Sequence, residues 1–299
     1  MKLHVINTGL FKLDGGAMFG VVPKSIWQKT NPPDENNLCT WAMRCLLIED
    51  GDRLILIDNG LGDKQDAKFF SYYYLHGDDS LLKSLHAAGF SEDDVTDMFL
   101  THLHFDHCGG GVYHQQGKPA LRFKNATYWS NEDHWEWAAN PNPREKASFL
   151  KENILPMHES GHLSFIKAGE KSPFNFFDIL YVSGHTDKMM IPRMRVGDKV
   201  VCYMADLLPS VGHIPLPYVM GYDTRPLITL EEKEKFLNEA ADREYILYFE
   251  HDPVNECCTV KRTERGVRLD RVFPLAEAGL KSTTRPPRSG SLNSGDLGV

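Results

Sequence analysis

No apolar run in this chain approaches the roughly 18–20 residues that cross a bilayer as a helix. The start, Met1-Lys2-Leu3-His4-Val5-Ile6-Asn7-Thr8-Gly9, has one lysine and no apolar stretch of the kind that forms a secretion signal. A cytoplasmic protein with no membrane partner is therefore expected. Cysteine is scarce: six in 299 residues, at 39, 45, 108, 202, 257 and 258. That is too few for a disulfide scaffold, so free thiols are expected, with Cys108 and Cys202 as small buried apolar side chains. Positive charge is also in deficit. Lys and Arg total 33 against 41 Asp and Glu, a formal charge of −8, and no basic stretch is interleaved with aromatics. Both facts argue against nucleic acid as a partner. Apolar patterning fails from Lys281 onward, where Ser, Gly, Pro, Thr and Arg dominate. Residues 281–299 are expected to form a disordered tail, and residues 1–280 a single domain.

What remains is a chain with 41% hydrophobic and 25% charged residues, proportions of a globular enzyme rather than a fibrous or disordered protein. Residues 3–8 and 44–49 read as strands. The run Arg53-Leu54-Ile55-Leu56-Ile57 reads as a buried strand closed by the turn signal Asp58-Asn59-Gly60. Further strands are expected at 97–101, 179–182, 200–204 and 245–249, with a final pair at 257–261 and 266–272. Helices are expected at 79–88, in two pieces across 131–151, and from a capping box at Thr229-Leu230-Glu231-Glu232 to about residue 242. Strands alternate with helices, so the fold class is mixed α/β, with helices covering sheets.

The chemistry is concentrated in Thr101-His102-Leu103-His104-Phe105-Asp106-His107-Cys108-Gly109-Gly110. Three histidines and an aspartate fall within six positions, in a chain with only 13 histidines, so chance is a poor explanation. In extended backbone His102 and His104 point the same way. Asp106 and His107 follow where the glycines signal a turn. One short segment can thus offer ligands to two neighbouring metal ions, and imidazole and carboxylate suit zinc, with iron, manganese and cobalt as alternatives. Three more candidates each stand just after a short apolar strand: His185 after 179–182, Asp206 after 200–204 and His251 after 245–249. Functional groups at strand ends on one edge of a layered structure converge in space. The pair His158 and His162, with Gly161 between them, reads instead as an exposed loop.

The order His-x-His-x-Asp-His, then Gly184-His185-Thr186, then an Asp and a His at later strand ends resembles the metallo-β-lactamase-fold hydrolase superfamily. Leu56-Ile57-Asp58-Asn59-Gly60 is similar to that superfamily's early strand-Asp-x-Gly element. The resemblance runs from about residue 3 to 272. It implies an αββα sandwich of two mixed β-sheets flanked by helices, with a metal site at one edge. It also implies that His102, His104 and His185 hold one metal ion, that Asp106, His107 and His251 hold a second, and that Asp206 bridges the two. Asp58 would support the histidines from behind. Asp14-Gly15-Gly16-Ala17-Met18-Phe19-Gly20 and Trp27 look like the N-terminal segment of the lactonase and organophosphate-hydrolase branch, which makes Phe19 and Trp27 candidate pocket residues. Two positions depart from the pattern. Gly-His-Thr is followed by Asp187-Lys188 where the family often has Pro-Gly, and Pro209 stands where quorum-quenching lactonases carry a Tyr. Tyr218, Tyr222 and His213 are candidates for an equivalent polar group.

A metal ion lowers the pKa of bound water from about 15.7 to about 7, on the order of 12 kcal/mol of hydroxide stabilisation. No serine or cysteine nucleophile is then required. The expected function is a dinuclear, most simply dizinc, hydrolase that turns a metal-bound hydroxide on a small ester, lactone or phosphotriester. Asp106 and Asp206 are the catalytic carboxylates that can pass a proton to the leaving group. The alternative is an iron-dependent oxidoreductase on the same fold, although two-iron members typically replace one motif histidine with an acidic residue and here the motif is complete. The only partner expected is a small-molecule substrate, and the oligomeric state is left open, a homodimer included.

Overall fold

The structure, a computed structural model, describes residues 1–280; the tail expected at 281–299 lies outside the described residues. Fourteen strands are described. They are β1 (Lys2–Asp14), β2 (Leu38–Asp50), β3 (Arg53–Ile57), β4 (Asp97–Phe99), β5 (Val112–Gln115), β6 (Lys118–Leu121), β7 (Thr127–Ser130), β8 (Leu163–Phe165), β9 (Phe177–Val182), β10 (Met189–Val196), β11 (Lys199–Tyr203), β12 (Ile246–Tyr248), β13 (Cys257–Thr263) and β14 (Gly266–Phe273). One six-stranded sheet runs β1-β2-β3-β4-β7-β8 and the other β14-β13-β12-β11-β10-β9, with β5 and β6 as a separate hairpin. Both large sheets are mixed. In the first, β3, β4, β7 and β8 are mutually parallel and β1 and β2 antiparallel. In the second, only β11 and β12 pair in parallel.

Period-two alternation splits each central strand of the first sheet between two cores. Leu46, Ile48, Ile55 and Ile57 face the second sheet, where they pack with Met189, Ile191, Val201 and Leu247. Cys45, Leu47, Leu54 and Leu56 face outward onto Leu85, Ala138, Ile154 and Met157, carried by the helices Leu81–Ala87, Glu132–Ala139 and Lys151–Glu159. Helix Pro226–Asp242 covers the second sheet through Phe236, Leu237 and Ala240. Each fully buried side chain of this kind contributes about 1.5–3 kcal/mol, so the double-sided burial fixes strand register. The αββα order of layers expected from the sequence is the one observed, and all six cysteines are buried free thiols.

Three local expectations are corrected. The second helical piece starts at Lys151 rather than lying within 131–151, because Asn142 side-chain Oδ1 accepts from the Arg144 and Glu145 amides and holds that stretch as a turn. The capping box is not one. The helix opens three residues earlier with Pro226 in its first turn, Thr229 is buried inside it, and Glu232 instead accepts from the Ser183 and Gly184 amides at 2.6 and 3.0 Å. The stretch before His162 is partly helical, since His158 lies within Lys151–Glu159 and stacks on Trp135.

Candidate metal centre

The strands that carry the chemistry end on one edge. β3 and β4 run parallel, as do β11 and β12, and β9 lies two antiparallel steps from β11. Their C-terminal ends therefore coincide, and Asp58, His102, His185, Asp206 and His251 follow them directly. A further link ties the two sheets at this edge. The β2 amides of Ala42 and Arg44 donate to the carbonyls of His251 and Glu250, and the buried Arg44 guanidinium donates to the carbonyls of Phe249, Asp252 and Asn255. The His251 segment is thus tied by its backbone to β2 of the first sheet.

The motif between β4 and β5 folds as its spacing dictates. After the extended His102–His104 segment, His104 sits at the N-terminal boundary of a short helix, Phe105–Cys108, which turns Asp106 and His107 inward. A β-carbon at Gly109 would lie 2.1 Å from the Leu61 carbonyl oxygen, and one at Gly110 2.2 Å from that of Asn59. Only glycine lets the loop after Asp58 pack that closely. The Asn59 amide then donates to the His107 carbonyl at 2.8 Å.

Four of the seven expected metal-binding side chains, His102, His104, His185 and Asp206, present nitrogen or oxygen atoms within 4.8 Å of one another, and Asp106, His107 and His251 do the same. The two groups meet at Asp206. Its Oδ2 lies 3.0 Å from His185 Nε2, 3.5 Å from His107 Nε2 and 3.7 Å from His102 Nε2, and its Oδ1 3.1 Å from His251 Nε2.

The outward nitrogens decide what the inward ones can do. His107 Nδ1 donates to Asp58 Oδ2 at 3.1 Å, with Glu250 Oε2 at 2.9 Å. His185 Nδ1 donates to Asp223 Oδ1 at 3.0 Å, His251 Nδ1 to the Ala42 carbonyl at 2.8 Å, and His104 Nε2 to Glu145 Oε1 at 3.0 Å. Thr101 donates its hydroxyl to Asp58 Oδ2 and so accepts from His102 Nδ1 at 3.1 Å. With each outward N–H committed, a neutral ring has only a lone pair facing in. Yet His102 Nε2 and His104 Nδ1 are 3.1 Å apart, His185 Nε2 and His104 Nδ1 3.2 Å, and His251 Nε2 and His107 Nε2 3.1 Å. Lone pairs so placed repel unless cations sit among them. Asp206 Oδ1 is buried without a hydrogen-bond partner, which is the donor set that fits divalent metal ions.

Electrostatics say the same. Burial favours neutral imidazole throughout and holds His102 and His104 below the ordinary histidine range. At His185 burial is outweighed by Asp206 and Asp223, which raise it to about 10, and at His251 by Asp206 and Glu250, which raise it to about 9. The site attracts positive charge. Glu250, buried and next to Asp58, is itself pushed up to about 8.

Above the cluster lies a cavity of about 320 Å³. His104, Asp106, His185, Asp206 and His251 form its polar floor; Leu13, Met18, Tyr73, Phe105, Met220 and Tyr222 form apolar walls; Arg144, Glu145 and Ser148 lie along one side. Of the pocket residues expected from sequence, Tyr222 lines it. Phe19, Trp27 and His213 stand behind the wall: Phe19 stacks between Trp27 (ring centroids 5.3 Å) and His213 (4.5 Å). His213 Nε2 donates to the Met18 carbonyl while its Nδ1 accepts from Ser210, and burial pulls it down to about 3. It is a neutral brace for the Met18 segment, set apart from the cavity. Sequence reasoning missed Glu145, Asp223 and His134. His134 Nε2 accepts from the Leu103 amide and its Nδ1 donates to the Asp187 carbonyl, joining the two histidine loops.

The profile of the Metallo-beta-lactamase superfamily matches residues 44–251. An N-acyl homoserine lactonase of Bacillus thuringiensis is 23% identical over 265 residues, covering 84% of this chain and 93% of its own. Among solved structures, a probable metal-dependent hydrolase from Staphylococcus aureus superposes with a TM-score of 0.82 at 26% identity, over 95% of this chain and 98% of the other. AidC, a dizinc quorum-quenching lactonase in complex with a product, shares the fold with a TM-score of 0.74 at 23% identity, over 90% and 95%.

Proposed function

This chain belongs to the metallo-β-lactamase superfamily, and from that premise we propose that it is a dinuclear, zinc-dependent hydrolase of small esters, lactones or phosphotriesters with an apolar substituent. The observation that carries the reading is the set of inward imidazole lone pairs and the unpartnered Asp206 oxygen at the floor of an open, largely apolar cavity. His102, His104 and His185 would hold one ion, Asp106, His107 and His251 the other, and Asp206 both. Bound there, such ions supply Lewis acidity and activate water near neutral pH. The protein's own groups do the rest. Leu13, Met18, Phe105 and Met220 bind the apolar part of the substrate and exclude water. Asp106, at the cavity floor, is placed to take a proton and return it to the leaving group. Tyr222 and Tyr73 offer phenols to the substrate from the walls, which compensates for Pro209 where related lactonases carry a tyrosine. The relatives named as N-acyl homoserine lactonases make a lactone the first substrate to try.

Within this reading residues 1–280 act as one domain and need no macromolecular partner. No helix among the described residues is long and apolar enough to cross a membrane. The deciding experiment measures metal content of the purified protein and screens aliphatic lactones, homoserine lactones, aryl esters and phosphotriesters with a chelated control. Two zinc ions per chain and hydrolysis abolished by chelation and restored by zinc are expected. Redox-active iron with oxygen consumption and no hydrolysis would replace this reading with the oxidoreductase.

A further inference from the structure

Helix Pro226–Asp242 buries Thr229, Lys233, Phe236, Leu237 and Ala240, a single stripe at helical spacing. One member of the stripe is charged: Lys233, fully buried where the stripe calls for an apolar side chain. Among the described residues no carboxylate lies within ion-pair distance of it. Its three ammonium hydrogens go instead to three carbonyls of one loop, those of Pro215 at 2.9 Å, Leu216 at 3.2 Å and Tyr218 at 2.8 Å. Burying an ammonium without a counter-charge is costly, and only charge-assisted bonds to all three donors offset it.

What the ammonium holds is the approach to the cavity. Pro215 and Pro217 have no amide hydrogen, so carbonyls are the groups by which that stretch is gripped. Three residues on, Met220, Gly221 and Tyr222 line the cavity. The Gly221 amide donates to the Ala17 carbonyl at 2.7 Å, which carries the constraint to Met18 on the neighbouring wall. The Met220 amide donates to Asp223 Oδ2 at 3.2 Å.

We propose that Lys233 is a positioning residue for the substrate pocket: it hangs the 215–222 loop from the covering helix and so fixes the wall that receives the substrate's apolar group. Its effect on catalysis rests on the hydrolase reading above, whereas its effect on the loop does not. Burial also draws the Lys233 ammonium down to about 7, against the pull of Asp223, as expected for a cation held by dipoles rather than by a carboxylate.

The test compares wild type with Lys233→Met, of similar length and without donors, and Lys233→Gln, which keeps a shorter amide donor. Metal content is expected to stay at the wild-type value. Hydrogen exchange of the amides at 218–222 should accelerate about tenfold or more in Lys233→Met and less in Lys233→Gln. KM for substrates with long apolar chains should rise about tenfold, while kcat and the KM of the smallest ester stay within about twofold, the pattern of lost substrate binding rather than lost chemistry. Unchanged exchange at 218–222 in a folded Lys233→Met protein would overturn the proposal. So would failure of Lys233→Gln to fold, which would make the lysine a determinant of the whole fold. A wild type that hydrolyses none of these substrates would sink the hydrolase reading and leave the exchange data to decide the role of Lys233.

Discussion

At the scale of single residues, Asp206 and Glu145 do different things to the same cluster. Asp206 stands among four imidazoles, with both oxygens within 3.1 Å of a ring nitrogen. Asp206→Asn removes the only negative charge common to both groups and turns an amide N–H toward lone pairs. On the dinuclear reading proposed above, metal content should fall from two towards one or none, with turnover down by 100-fold or more, as read by metal analysis and initial rates. A variant that kept two ions and full turnover would exclude a bridging carboxylate. Glu145 acts from behind His104. Its Oε1 accepts from His104, and its Oε2 accepts from Trp137 Nε1 at 2.7 Å and Asn142 Nδ2 at 3.1 Å. Despite burial, the His104 ring, with the Thr186 hydroxyl and Trp137, holds the carboxyl down at about 2. In Glu145→Gln one oxygen becomes an amide that must face a donor, so the His104 ring loses its orientation. Losing such an outer hydrogen bond costs about 10–100-fold in metal affinity, measurable by zinc titration against a competing chelator; unchanged affinity would show that the ring is held by packing on Phe149 instead. Residues at this scale divide sharply in legibility. The seven side chains brought together here announced themselves by crowding or by standing after an apolar strand. Glu145, Asp223 and His134 have no such signal, because each reaches its histidine or loop from a segment whose place is set by tertiary packing.

At the scale of elements, nine of the fourteen strands were legible, whereas β5, β6, β7, β8 and β10 were not among the expected ones. The core strand Arg53–Ile57 matches its expected bounds because burial on both faces leaves an unbroken apolar run. β1 and β2 are longer than expected, 13 residues each: the later half of β1 pairs with the earlier half of β2, beyond a register shift between Asn7 and Leu10. The Thr229 misreading has a physical cause too. A Thr-x-x-Glu pattern satisfies a helix start, but here the glutamate satisfies two amides of the His185 loop, and a proline already opens the helix. The clearest element-level dependence is the glycine seam between the Asp58 loop and the histidine motif. Gly110→Ala would drive a methyl group against the Asn59 carbonyl oxygen. Overpacking against backbone costs about 1–3 kcal/mol, and here the strain falls on the turn that holds His107. Urea denaturation should show a loss in that range together with weaker zinc binding. A loss below about 0.5 kcal/mol would mean that the seam can open without consequence.

At the scale of the whole molecule, the polar edge and the apolar layers respond to acid in ways that can be separated. His213 and His134 are buried neutral, at about 3 and about 4 respectively, with burial the leading cause in both. Each lies below the unfolded value of about 6.5. Between the folded and unfolded values the unfolded chain binds more protons, so stability falls as pH falls from about 6.5, by up to about 1.4 kcal/mol per pH unit per histidine. On the proposed metal-dependent reading, metal release at acid pH adds a slope of the same sign, because ligating imidazoles must be neutral. His213 separates the two, since it lies behind Phe19 and Met18 rather than in the cluster. His213→Phe keeps the ring stack, gives up the bonds to Met18 and Ser210, and cannot titrate. Its stability near pH 7 should drop by about 1–2 kcal/mol for the lost hydrogen bonds. Between pH 6.5 and 4 its urea midpoint should then fall less steeply than wild type, so that the two curves converge or cross. Parallel curves across that range would show that His213 does not take up a proton on unfolding, and would leave the acid sensitivity of this fold to His134 and the histidine cluster.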